Sequence, residues 1–202
     1  MGFIRLAPIC RALAFCLVIV VAGCSTSDPL RPKGRIIPIS ASESRFDFPV
    51  STLASPGRFN LYTSDKGDYL EETAQWTGKT FKDGEAGLLL SEAKAGPPLA
   101  DPTDPAASFK LWPLLRGKTP TLGKLQQTQN TLGRVDWQRA AIGTSACVLF
   151  IQRWAGDASI TDGSRYATLS GYYCNPPGET LSAQAAENVV KALGLRDSPK
   201  RQ

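Results

Sequence analysis

Short stretches of alternating apolar and polar residues, separated by turn-forming residues, run along the chain from position 46. A period of two is typical of half-buried β-strands, because successive side chains of a strand point to opposite faces. In the first half the strand candidates are 46–50, 59–61, 70–76 and 88–90. The stretch 70–76 also fits one helical turn. In the second half the candidates are 135–142, 146–154 and 165–174.

The pattern changes near the end of the chain. Ser182 is a good N-cap, Gly194 is placed to be the C′ residue, and one helical face carries Ala186, Val189, Val190 and Leu193. We therefore predict an α+β fold: an antiparallel sheet of five to eight strands with a C-terminal helix packed on one face.

Residues 93–134 carry the weakest pattern. Six prolines fall between Pro97 and Pro120. We predict a long Pro-rich surface loop here, with one short helix near 122–130. A loop of this length is usually functional or disordered.

The first 24 residues have a different pattern of charged and apolar positions. Arg5 and Arg11 lie before a short apolar run, 12–22, which ends in Val21-Ala22-Gly23-Cys24. A basic start, a short apolar centre and small residues at the end are typical of a secretory signal peptide. A helix that spans a membrane needs about 20 apolar residues, which is more than this run supplies.

Val21-Ala22-Gly23-Cys24 resembles the lipobox of bacterial lipoproteins. The resemblance implies cleavage before Cys24, which would then carry lipid on its sulfur and its amine and attach the protein to a membrane. Ser25, where an Asp would favour the inner membrane, implies the outer membrane and a body that faces the periplasm. Ordinary secretion and an uncleaved anchor are the alternatives.

These features divide the chain into four parts. Residues 1–23 are the lipoprotein signal peptide, 24–45 a flexible tether, 46–196 a single α+β domain and 197–202 a basic tail. Within the tether, Arg35-Ile36-Ile37-Pro38-Ile39 is able to dock as an edge strand, because proline is tolerated at sheet edges.

The export signal bears on the expected oxidation state of the cysteines. Once the leader and Cys24 are set aside, Cys147 and Cys174 remain, and an oxidising compartment favours a disulfide between them. If the two are opposite each other in antiparallel strands, Leu149 faces Tyr172 and Val148 faces Tyr173. A redox-active pair is the alternative, although such pairs usually have Cys-x-x-Cys spacing.

Charge and composition exclude several classes of function. The formal charge is +5, and it falls to +3 once Arg5 and Arg11 leave with the leader. No basic stripe with interleaved aromatic residues is present, so we expect no nucleic-acid partner. The chain has no histidine, which excludes the Ser-His-Asp triad, the Cys-His dyad and zinc bound by histidine.

The remaining motifs are incomplete. Ser91 and Lys94 match Ser-x-x-Lys without its companion elements, and Ser145 lies in a nucleophile-elbow pattern that lacks its last glycine. Two fragments resemble part of a P-loop, Gly78-Lys79-Thr80 and Gly117-Lys118-Thr119. The acidic cluster Asp65, Asp68, Glu71 and Glu72 fits a solvated turn better than a calcium loop. We expect no catalytic residue, no cofactor and no metal site.

Aromatic residues supply the one candidate surface. Trp137 and Trp154, beside Arg139 and Arg153, are predicted to form a partner-binding patch if they lie on adjacent strands. We therefore expect a lipid-anchored envelope protein that acts by binding or assembly, with another envelope protein or a cell-wall component as partner. The alternatives are an envelope hydrolase or transferase that uses carboxylates or Ser-Lys, and an inhibitor of an exported enzyme.

Overall fold

The computed structural model describes residues 31–50, 53, 57–77, 83–94, 97–99, 101–112, 115, 117–155 and 166–196. The predicted signal peptide, Cys24 and the basic tail lie outside these residues. Within the described part of the chain, no helix is long and apolar enough to cross a membrane.

Eight strands form one antiparallel sheet. They are β1 Gly34–Ile39, β3 Arg58–Ser64, β4 Tyr69–Trp76, β5 Glu85–Ala93, β6 Thr121–Asn130, β7 Gly133–Ile142, β8 Ser145–Ala155 and β9 Tyr166–Cys174. Their order across the sheet is β1-β3-β4-β5-β9-β8-β7-β6. A separate small pair joins β2 Phe46–Asp47 to β10 Gly194–Leu195, and the helices are α1 Pro105–Ser108 and α2 Ala183–Lys191. The predicted antiparallel sheet with a C-terminal helix is confirmed.

The strand order explains the long Pro-rich connection. The chain leaves the sheet at β5, in its middle, and returns at β6, on its far edge. The connection 94–120 must therefore cross three strands, and it crosses them on one face through α1 and a 3-10 turn at Phe109–Leu111. Phe109 and Trp112 are buried against that face. The connection is long because it covers this face of the sheet.

The predicted extent of this loop is wrong at its end. Residues 121–130 form strand β6, and the short helix predicted near 122–130 is not there. The segment has little apolar periodicity of its own, and all of its positions are exposed or half-buried. Pairing with β7 supplies its backbone hydrogen bonds, so tertiary context decides its conformation.

The two faces of the sheet carry separate cores. One, called here the helix face, packs α2 through Ala186 and Val190 onto strand residues that include Leu88, Trp137 and Phe150. The other, called the crossover face, packs the 94–120 connection onto strand residues. Its core is Leu89, Phe109, Trp112, Leu115, Ala140, Ile142, Cys147, Leu149, Tyr172 and Cys174. Each face is thus covered by a different part of the chain.

Helix α2 begins as its sequence predicts and ends differently. The Ser182 side chain accepts a hydrogen bond from the backbone N–H of Ala185, which confirms the N-cap. Gly194 is not the C′ residue, because the helix ends at Lys191 and its C-cap is Ala192, which makes Leu193 the C′ residue. Gly194 lies instead in β10, opposite Asp47.

The two outermost strands bound the sheet. At one edge β1 pairs with β3, and Pro38 lies within β1, so the predicted docking of 35–39 as an edge strand is confirmed. Residues 34–45, placed by the sequence in the tether, therefore belong to the folded body. At the other edge β6 has a register irregularity between Leu122 and Leu125, and both leucines are largely exposed.

Candidate functional site

The two cysteines of the folded body form a disulfide. Cys147 and Cys174 are opposite each other in β8 and β9, with their Cα atoms 4.0 Å apart. The predicted register is also confirmed, since Leu149 is opposite Tyr172 and Val148 is opposite Tyr173. With both sulfurs joined in the interior, the bridge has a structural place in the crossover-face core.

The predicted partner-binding patch is not assembled in one place. Trp137 is 1% exposed, in the helix-face core. Trp154 is half-buried on the same face and its indole N–H donates to the carbonyl of Leu132. Arg139 is exposed, but Arg153 lies on the crossover face, where it pairs with Asp101 at 2.7 Å. Consecutive strand residues point to opposite faces, so Arg153 and Trp154 cannot share a surface.

The serine motifs also lack a reactive arrangement. Ser91 is fully buried in β5, and Lys94 follows the end of that strand on the surface. Three residues of extended chain separate their Cα atoms by about 10 Å and turn them to opposite faces. Ser145 begins β8 after a turn in which Gly143 has φ of 62°, so this motif is a tight turn that enters a strand.

The two P-loop fragments have different outcomes. Gly78-Lys79-Thr80 lies outside the described residues. Gly117-Lys118-Thr119 lies on the surface, at the edge of a pocket of about 350 Å³. The pocket is lined by Ala106, Phe109, Lys110, Leu115, Gly117, Lys118, Thr119 and Pro120. Its volume is within the range of small-molecule sites. Its lining is mainly apolar, with two lysines.

The acidic cluster separates into a surface pair and a buried pair. Asp65 and Asp68 are exposed in the β3–β4 turn, as a solvated turn predicts. A hydrogen bond from Ser64 lowers the pKa of the Asp68 carboxyl. Glu71 and Glu72 are buried in β4, which the prediction missed. Because they are consecutive, each face of the sheet receives one carboxylate.

On the helix face, Glu72 belongs to a buried ion network, called here the Arg45 network. The Arg45 guanidinium donates through Nε to Glu72 and through Nη1 to Glu92, each at 2.9 Å. Glu72 also accepts from the Ser44 hydroxyl at 2.7 Å and from the Arg45 backbone N–H at 2.8 Å. The three charged side chains are at most 4% exposed. The network fastens residues 44 and 45 to the middle of the sheet.

On the crossover face, Glu71 belongs to a second group, called here the Arg31 cluster. Glu71 accepts hydrogen bonds from Arg31 and from the Tyr69 hydroxyl. The Arg31 guanidinium also lies over the Tyr62 ring, 4.5 Å from its centroid, and the Tyr62 hydroxyl donates to the carbonyl of Pro32. This cluster fastens the chain just before β1, so the segment 31–45 is held at both of its ends.

No group of three or more potential metal ligands lies together in the described ranges. Comparison with known proteins adds no relative: no family model, no curated protein and no solved structure matches this chain.

The contact between the 94–120 connection and the crossover face depends on Gly87. Tyr172 and Trp112 stack edge to face above it, with ring centroids 5.3 Å apart. A Cβ at Gly87 would lie 2.6 Å from the Tyr172 ring and 2.7 Å from the Trp112 ring. Burial raises the pKa of the Tyr172 phenol above its ordinary value, and the nearby Glu85 carboxylate raises it further.

Gly87→Ala is therefore expected to lower the free energy of unfolding by about 1–3 kcal/mol, the usual cost of overpacking. Urea unfolding followed by tryptophan fluorescence measures it. Gly194→Ala is the matched control, because its Cβ would meet its nearest neighbour at 3.6 Å, an ordinary contact. Equal stability of the two variants would contradict the packing described for Trp112.

Proposed function

We propose that this protein is a lipoprotein of the bacterial cell envelope that is attached through Cys24 and acts by binding or assembly, without catalytic activity of its own. The observation that carries the proposal is the motif Val21-Ala22-Gly23-Cys24 at the end of a short apolar run. The motif resembles a lipobox, and the run is too short to span a membrane.

Lipid on Cys24 would be sufficient to hold the protein. Each buried methylene contributes about 0.8 kcal/mol, so one acyl chain binds marginally while several bind durably. Ser25 favours the outer membrane, with the folded body in the periplasm. The disulfide between Cys147 and Cys174 agrees with an oxidising compartment of this kind.

Action by binding is supported by what the described surface offers. The 94–120 connection forms an apolar pocket with Lys110 and Lys118 in its lining. Two leucines of β6, which follows in sequence, are largely exposed. In contrast, Ser91 and Lys94 are held apart by the geometry of β5, which removes the Ser-Lys arrangement that a histidine-free hydrolase would use. The partner proposed is another envelope protein or a cell-wall component.

Cys24→Ser is expected to abolish attachment. Expressed with its leader in a Gram-negative bacterium, the native chain should fractionate with membranes after a carbonate wash, and mass spectrometry should find a mature protein that begins at a lipid-modified Cys24. The variant should lose both properties. Cys16→Ser is the matched control, because it replaces a leader cysteine outside the motif and should leave lipidation intact.

Two results would overturn the proposal. One is a native protein that begins at Met1 or carries a free thiol at Cys24. The other is a Cys24→Ser protein that stays with the membrane after the wash.

A further inference from the structure

We propose that the protein presents one particular end of its sheet to anionic lipid headgroups. This end, called here the near end, carries the β3–β4 turn and the start of β1. The opposite end, called the far end, carries the disulfide and the β7–β8 turn. The inference rests on the proposed lipidation of Cys24.

The chain between the lipid-bearing residue and the folded body is short. Seven peptide steps separate Cys24 from Arg31. A fully extended chain spans at most about 3.6 Å per residue, so Arg31 lies within about 25 Å of the lipid-bearing residue. The connection is much shorter than the 24–45 tether that the sequence predicts.

Three contacts fix where the chain joins the sheet. Arg31 is paired with the buried Glu71 and lies over the Tyr62 ring. Two residues later, the carbonyl of Lys33 accepts a hydrogen bond from the N–H of Asp65 at 2.8 Å. These contacts fix the point of entry beside the β3–β4 turn.

The strand pairing determines which parts of the sheet lie at each end. Tyr69 at the start of β4 pairs with Ala93 at the end of β5, and Ala155 at the end of β8 pairs with Tyr166 at the start of β9. Both pairs lie at the near end, where the chain enters the sheet. The pairs Cys147–Cys174 and Ile142–Ser145 lie at the far end. Strand β8 has 11 residues, so its two ends are about 33 Å apart at about 3.3 Å per residue.

The two ends of the sheet also differ in charge. At the near end, the described residues include four exposed cations and two exposed carboxylates, namely Lys33, Arg35, Lys66 and Lys94 against Asp65 and Asp68. At the far end, the charged residues in or beside strand ends and in the turn after β9 include three cations and three carboxylates, namely Arg58, Lys118 and Lys124 against Asp83, Glu85 and Glu179. An anionic surface therefore attracts the near end, which has an excess of cations, more strongly than the far end, where the two signs balance. Tether length and charge therefore favour the same orientation.

Position-specific quenching tests this orientation. Asp65→Cys and Thr144→Cys place one free thiol at the near end or at the far end, and both native residues are exposed. Each lipidated variant is labelled with a fluorophore and reconstituted into phosphatidylcholine–phosphatidylglycerol vesicles that carry a short-range quencher on some headgroups. We expect quenching at position 65 to be several-fold stronger than at position 144. Equal quenching, or stronger quenching at 144, would overturn the proposal.

Two further measurements separate its premises. Flotation with the vesicles reports attachment alone, so a protein that does not float fails the lipidation proposal, while one that floats with the reverse quenching pattern fails only the orientation. In vesicles of phosphatidylcholine alone, the contrast between the two positions should shrink. An unchanged contrast would overturn the assignment of anionic headgroups as the partner of the near end.

Discussion

Arg45→Met is expected to lower the free energy of unfolding by about 3–5 kcal/mol, the range for breaking a buried ion pair by removing one partner. The substitution keeps most of the side-chain volume and removes the charge. Glu72 and Glu92 would then be buried close together without their common cation, and Glu72 is fully inaccessible to solvent. Both the lost pairing and the desolvation of two carboxylates oppose folding.

The measurement is the urea midpoint, compared at constant m-value. Arg58→Met is the control, because Arg58 is exposed on β3 and surface substitutions usually stay within about 0.5 kcal/mol. The triple variant Arg45→Met, Glu72→Leu, Glu92→Leu should recover much of the loss, since an apolar group of similar volume can replace a buried ion network. A cost below about 1 kcal/mol for Arg45→Met would show that water reaches the network.

Replacing both cysteines, Cys147→Ala with Cys174→Ala, is expected to lower the free energy of unfolding by about 3.5 kcal/mol. The bridge joins residues 27 apart in sequence, and closing a loop of that length removes this much entropy from the unfolded chain on the chain-entropy model. The bridge ties two neighbouring strands that already pair along their length, so the folded state should keep its register without it.

Reduction supplies the matched comparison. Adding dithiothreitol during urea unfolding should lower the midpoint of the native protein toward that of the double variant, and should leave the double variant unchanged. If the native midpoint does not move under reducing conditions that expose free thiols in the unfolded state, the bridge does not contribute the expected stability.

The parts of the fold that could be predicted are those encoded by local pattern. The pairing of β8 with β9 follows from two cysteines and alternating apolar residues, because a disulfide between antiparallel strands fixes their register. The cap at Ser182 is equally local. Strand β6 could not be predicted in this way, because its Gln- and Thr-rich sequence has no apolar face and it depends on β7 for its hydrogen bonds.

The ion groups that hold the N-terminal segment were missed for a different reason. Arg45 is 27 residues from Glu72, and Arg31 is 40 residues from Glu71. No spacing rule connects residues so far apart. The available signal was the Glu71-Glu72 pair inside a strand candidate, since two consecutive acids in a strand covered on both faces must each find a partner.

The sequence already contained the reason why the predicted aromatic patch does not form. Arg153 and Trp154 are neighbours in a strand, so strand geometry alone places them on opposite sides of the sheet. The burial of Trp137 has a simpler cause, since large aromatic side chains gain the most from removal from water.

The irregular start of β6 bears on how copies of the protein would meet on a crowded membrane. Attachment through Cys24 would hold many copies in one plane, where exposed strand edges can join into continuous intermolecular sheets. Two residues, Gly123 and Lys124, occupy the register shift of this edge. A bulge twists the edge, and a lysine there repels its counterpart on an identical chain. High local concentration would therefore not lead to aggregation along this strand.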